Sequence, residues 1–235
     1  MAEGVLAIEA SQRAASVAFR GGPGGAVHEV AVPAPDDAHD HLMASIDAAV
    51  RAAGCGPGDI GLLAVSVGPG GFTGLRVACA TAKAVAEVTG CRLVAVPSAL
   101  SAARAAVRAG ALPDGPCTVV LAAKGGDAWC AELEVRAGMP SERSAGLRSA
   151  LGPEGGPVLA DDHLPVAWAD AAHRRGLLRL QWSAAACLEV GEAPAESEGP
   201  CDPLRLLPIY PRQAEAVTLW EARHGGGNRP GGRTG

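Results

Sequence analysis

The chain opens on three short apolar runs separated by turn residues: 4–9 (GVLAIE), 14–20 (AASVAFR) and 26–32 (AVHEVAV), the last preceded by GGPGG at 21–25. Runs of this kind, bounded by glycine and polar clusters, predict strands, and their close spacing predicts an antiparallel meander. From Asp36 the period changes. Leu42, Met43, Ile46, Ala49, Val50 and Ala53 recur at intervals of three and four, which predicts an amphipathic helix over 36–54 with Asp36 or Asp37 as N-cap and Gly54 as stop. The apolar run at 60–67 (IGLLAVSV) predicts a buried strand. A glycine-rich turn at 68–74 (GPGGFTG) and a second helix, running to about Thr89 and ended by Gly90, follow it.

The second half repeats this logic more faintly. Residues 92–96 (RLVAV) predict a strand, and an Ala-rich helix follows to about Ala109 with Ser98 as N-cap. Residues 117–123 and 128–135 flank Lys124-Gly125-Gly126-Asp127 and predict a hairpin like the first one, so a weak internal duplication is expected. Residues 136–156 show no clear period, 157–161 (PVLAD) predict a strand, 182–190 (WSAAACLEV) a helix, and 191–203 a polar link. The chain closes on a Tyr210-Pro211 turn, a helix from about Gln213 to His224, and a Gly/Arg tail expected to be disordered. The resulting expectation is an α/β chain of two lobes. The first is 1–97, closed by the C-terminal helix at about 213–224; the second is 98–212; the tail is 225–235.

At 235 residues, 48% apolar and 3% aromatic, the composition excludes a disordered chain, a collagen and a small disulfide scaffold. A net charge of -5 disfavours diffuse attraction to phosphate backbones, which needs clustered Lys and Arg. The seven aromatics (Phe19, Phe72, Trp129, Trp168, Trp182, Tyr210, Trp220) are too scattered for a base-stacking platform, so any role on RNA is expected to run through a partner. Seven cysteines without a CxxC motif read as small core fillers of a reducing compartment. Glu3 and Glu9 within the first apolar stretch argue against a signal peptide, and no run reaches the roughly 20 apolar residues of a membrane span. A cytoplasmic protein is the expectation.

Residues 66–76 (SVGPGGFTGLR) are the most informative segment: an apolar strand, a loop with four glycines and a helix start that Thr73 could cap. Free amides and the partial positive charge of a helix N-terminus suit an anion, with Arg76 and Lys83 on the same helix. The segment is neither GxxxxGK[ST] nor GxGxxG, and a tight strand-to-helix connection explains its glycines as well. Glu9-Ala10-Ser11 stands where an actin-like nucleotide lobe places an acid and hydroxyls, but an ordinary surface turn is the favoured account. His39 and His41, two residues apart, point to different helix faces and are a poor metal pair. No HExxH or GxSxG occurs, and Asp161-Asp162-His163 reads as a loop-stabilising cluster.

Taken together, SVGPGGFTGLRVACATAKAVAEVTGCRLVAVPSALSAA at 66–103, DDAHDHLMASIDAAVRAAG at 36–54 and PIYPRQAEA at 208–216 resemble the TsaB (YeaZ) family. The first is similar to its GPGSFTGLR signature; the last carries its closing pattern on Pro208, Tyr210, Arg212, Glu215 and Ala216. The resemblance spans most of 1–224. It implies an actin/Hsp70-like two-lobed fold with mixed sheets flanked by helices. It also implies a non-catalytic part in making threonylcarbamoyladenosine at position 37 of tRNAs that read codons beginning with A. In that scheme the partner TsaD carries the metal and the catalytic site, TsaE joins the pair, and ATP, Mg²⁺ and threonylcarbamoyl-AMP act through partners, so the chain itself needs no cofactor or metal. Two motifs depart from the family: its DTS-like first turn is Glu9-Ala10-Ser11 here, and its DAR-like motif is Lys124-Gly125-Gly126-Asp127.

The resemblance places the partner face on Leu42, Met43, Ile46, Ala49 and Val50 of the first helix and on Arg76, Cys79, Ala82, Lys83 and Ala86 of the second. Small residues there allow close helix packing, and a homodimer through the same helices is expected when TsaD is missing. On this expectation Leu42→Glu or Ala82→Glu would break association, provided both face outward. The signature loop, Gly68, Pro69, Gly70, Gly71, Phe72, Thr73 and Gly74 with Arg76, remains a candidate anion site. Two other readings stay open at this point: a stand-alone actin-like ATPase or kinase, and a glycoprotease-like peptidase.

Overall fold

The computed structural model describes residues 4–34, 41–124, 126–197 and 201–211. Five strands, β1 (Gly4–Glu9), β2 (Ala15–Arg20), β3 (His28–Val32), β4 (Ile60–Gly68) and β5 (Arg92–Pro97), form a first sheet in the order β3-β2-β1-β4-β5. β1 and β3 run antiparallel to β2, whereas β4 is parallel to β1 and β5. A second sheet contains β6 (Gly115–Lys124), β7 (Asp127–Arg136), β8 (Met139–Arg148), β9 (Val158–Ala160) and β10 (Leu177–Arg179) in the order β10-β9-β6-β7-β8. Its first three strands are again an antiparallel meander and its last two again parallel. Read from the third strand of each, the two sheets have one topology. The duplication expected from two hairpins therefore extends to both whole sheets, giving an α/β actin-like two-lobed fold.

Alternation along β1 explains why so short a strand is apolar throughout. Leu6 and Ile8 face one side, against α1 (Leu42–Ala52) and α2 (Phe72–Thr89); Val5 and Ala7 face the other, against α5 (Ala184–Ser197). The second sheet is covered on one face by α3 (Ser98–Arg108), whose Ala99, Ala102, Ala103 and Ala106 meet Val119, Leu121 and Leu133. Its other face carries Trp168 and Ala172, the latter on the short helix α4 (Ala169–Arg174).

Several local expectations change. The first described residue of α1 is Leu42 with His41 as N-cap, and Asp36 and Asp37 lie outside the described residues. Thr73 does not cap α2: the N-cap is Gly71, without a side-chain hydrogen bond. Ser98 is already helical and its hydroxyl donates to the Pro69 carbonyl at 2.9 Å. Gly54 and Gly90, both with positive φ, follow the helix ends as expected. The patternless 136–156 stretch contains β8, an edge strand whose Ser141, Glu142 and Arg143 are exposed. α5, inside the expected second lobe, packs on the first sheet, and Cys201 and Ile209 amides donate to Leu93 and Val67 carbonyls of that sheet. The helix expected at 213–224 and the tail at 225–235 lie outside the described residues.

Candidate functional site

The signature segment is where four parts of the chain meet. β4 ends at Gly68, a cis peptide joins it to Pro69, and α2 starts at Phe72. The β1–β2 turn closes on this loop from one side: the Gly71 amide donates to the Ser11 carbonyl at 2.7 Å. The two backbones are so close that a Cβ on Gly70 would sit 2.1 Å from the Ser11 oxygen, and one on Gly74 2.4 Å from the Ala10 oxygen. α3 closes on it from another side through Ser98 and Pro69. The segment 201–211 completes the enclosure, with the Ile209 amide on Val67 and the Tyr210 hydroxyl accepting from Arg76 Nε at 2.9 Å.

This architecture alters the anion-site expectation. The Gly71 amide is already engaged, and the glycines serve close approach of backbones. Arg76 lies over the Phe72 ring, 3.6 Å from its centroid, and the Phe72 and Tyr210 rings are 5.4 Å apart. Phe72, Arg76 and Tyr210 are exposed, so the loop presents an aromatic and cationic cluster to solvent. Beside it a hollow of about 390 Å³ is lined by Arg76, Cys79, Lys83, Leu207, Pro208 and Tyr210.

Beneath the loop, the first turn is not a surface turn. Glu9 and Ser11 are fully buried. Glu9 Oε1 accepts the Ser11 amide at 2.9 Å. Burial pushes the Glu9 carboxyl above its ordinary value, with Ser11, Ser101 and Ser66 drawing it back less strongly. The sequence shows the acid but not its burial, because the covering elements come from residues 66, 101 and 187.

The expected partner face divides in two. Leu42, Ile46, Ala49, Val50, Cys79 and Ala82 are all 4% exposed or less and belong to the first sheet's core; of these, Ile46 and Val50 reach the floor of a groove between the helices and Cys79 the wall of the hollow beside Arg76. Met43, Arg76, Lys83 and Ala86 retain surface. What the two helices present outward is an apolar groove of about 330 Å³, edged by Met43 and Val88, which are 55% and 84% exposed, and by Asp47, Pro57 and Ala84.

All seven cysteines are free, and five are buried. Burial raises the Cys117 and Cys130 thiols to about 11 and Cys187 well above its usual value, so they are protonated core groups. Among the described residues no group of three or more His, Cys, Asp or Glu could hold a metal, and His39 lies outside them. Asp161 accepts the His163 amide at 2.9 Å, the loop-stabilising part expected of that cluster. No helix among the described residues is long and apolar enough to cross a membrane.

Comparison with known proteins agrees with this picture. The family model for TsaD, tRNA N6-adenosine threonylcarbamoyltransferase, matches residues 16–135, just over half of the chain. A curated relative of that name from Bradyrhizobium sp. (strain BTAi1 / ATCC BAA-1182) is 45% identical over 73 residues, 31% of this chain and 20% of the relative. The chain thus spans about a fifth of that relative's length. Two solved structures from Pseudomonas aeruginosa share the fold. YeaZ matches with a TM-score of 0.72 and 18% identity over 88% of this chain and 99% of its own. A protein described as similar to peptidase YEAZ matches with 0.71 and 19% over 89% and 100%.

Proposed function

The chain belongs to the family of TsaD, the tRNA N6-adenosine threonylcarbamoyltransferase, and on that premise we propose that it is the TsaB-type subunit: a non-catalytic scaffold and activator of threonylcarbamoyl transfer to adenosine 37 of tRNA. TsaD supplies the metal and the reacting groups. TsaE joins the pair, and ATP, Mg²⁺ and threonylcarbamoyl-AMP enter through these partners. The tRNA is reached through the assembly, consistent with a chain of net charge -5.

The observation that carries this reading is the groove between α1 and α2. Exposed Met43 and Val88 beside exposed Ala84 form an apolar strip bordered by the polar Asp47 and Thr89. A partner helix seated there would bury Met43 and Val88, each worth about 1.5–3 kcal/mol when fully covered. A stable contact needs about 1,000 Å² in total, so the flanking parts of both helices take part. The same strip would pair two copies when TsaD is missing. Sedimentation of the chain with TsaD tests this: Met43→Glu and Val88→Glu are expected to fold normally and to lose the heterodimer. A heterodimer of unchanged affinity in both variants would refute the docking face.

The peptidase reading finds little support. The buried thiols are protonated, and no cluster of metal-ligating residues occurs among the described residues.

A further inference from the structure

The turn under the signature loop holds an acid that no charge among the described residues balances. Among the described residues Glu9 Oε2 has no hydrogen-bond partner, and neither do the hydroxyls of Ser11, Ser66 and Ser101, all buried. These groups come from the β1–β2 turn, β4 and α3. From α5 the facing group is the Cys187 thiol, whose ionisation Glu9 opposes. No cationic side chain among the described residues acts on Glu9. An ionised carboxylate so placed carries a desolvation penalty that no cation offsets, and the Ser11 amide and the neighbouring hydroxyls reduce it without cancelling it.

The same turn holds the signature loop. Glu9 Oε1 accepts the Ser11 amide, and the Ser11 carbonyl accepts the Gly71 amide. A shift of the carboxyl therefore reaches the loop through one residue. We propose that Glu9 is a positioning residue whose protonated carboxyl holds the Ser11 turn against the signature loop, and that loss of the proton releases the loop. The proposal concerns the isolated chain and stands apart from the docking reading.

Hydrogen exchange of the Gly71 amide in the full chain tests it. The released turn titrates near the ordinary carboxylate value of 4.5, and the closed form titrates higher. Between those two values each pH unit makes opening up to tenfold easier, because the closed form holds a proton that the open form has lost. The protection factor at Gly71, corrected for intrinsic exchange, is expected to fall up to tenfold per pH unit in the wild type. It should stay level in Glu9→Gln, which has no proton to lose. The Gly90 amide, bonded to Ala86 at the far end of α2, should not follow. Should Glu9→Gln fail to fold, Ser66→Ala carries the test: it removes a hydroxyl that favours the anion, so the fall should extend to higher pH. Equal pH dependence in wild type and Glu9→Gln, Gly90 falling in step with Gly71, or an unshifted range in Ser66→Ala would each overturn the proposal.

Discussion

Gly74→Ala sets helix propensity against tertiary packing with opposite signs. Gly74 lies in the first turn of α2, and replacing a helical glycine by alanine ordinarily gains about 1 kcal/mol. Here the added Cβ would stand 2.4 Å from the Ala10 carbonyl oxygen, 1 Å inside the 3.4 Å at which ordinary contact begins. The obstacle is backbone and cannot rotate away, so the β1–β2 turn or the start of α2 must move. Overpacking of this kind costs about 1–3 kcal/mol, and losing the bond between the Gly71 amide and Ser11 adds about 1 kcal/mol. Set against the propensity gain, the expected net loss is about 1–3 kcal/mol. Equilibrium unfolding in urea should show a lower midpoint at unchanged slope. In a chain of this size the melting temperature should drop by about 2–4 °C for each kcal/mol. Ala80→Gly, exposed on the same helix, calibrates the propensity contribution and should cost about 1 kcal/mol. A Gly74→Ala protein as stable as wild type, or more so, would refute the interlocked turn and loop.

Three further outcomes follow from the same packing. Leu42→Glu and Ala82→Glu, at 3% and 0% exposure, should unfold the chain rather than only weaken a partner contact, and circular dichroism of the isolated variants separates the two. Leu188→Ala, fully buried where α5 meets the first sheet, should cost about 2–5 kcal/mol in urea unfolding. A thiol reagent at pH 8 should modify half-buried Cys55 and Cys201 in the native protein. Cys79, Cys91, Cys117, Cys130 and Cys187 should react only on unfolding, which peptide mapping reads directly.

Much of the fold is legible in the sequence because its strands and helices carry strong local signals. The apolar run of β1, the three-and-four spacing from Leu42 and the glycines at 54 and 90 all state local structure. β8 is silent because only its Pro140 is buried, so this edge strand has no continuous apolar face to show in the sequence. The allegiance of α5 is silent for a different reason: an apolar helix does not say which sheet it covers.

The site shows the same division. The signature loop stands out in the sequence, yet its closest contacts, Ser11, Ser98 and Tyr210, are distant in the chain. Glu9 reads as a turn residue until β4, α3 and α5 are seen to cover it. The expected partner face is the clearest case. An amphipathic stripe marks what a helix buries, and Leu42, Ile46 and Ala82 bury themselves in their own core. The surface these helices leave exposed is the less patterned side that carries Met43 and Val88.

Reconstituted threonylcarbamoylation of tRNA, with TsaD, TsaE and threonylcarbamoyl-AMP supplied and this chain either added or withheld, tests the scaffold assignment most directly. Modified adenosine should form at speed only when the chain is added, with no modification by the chain alone. Full-rate modification without it, or transfer by the isolated chain, would contradict the assignment.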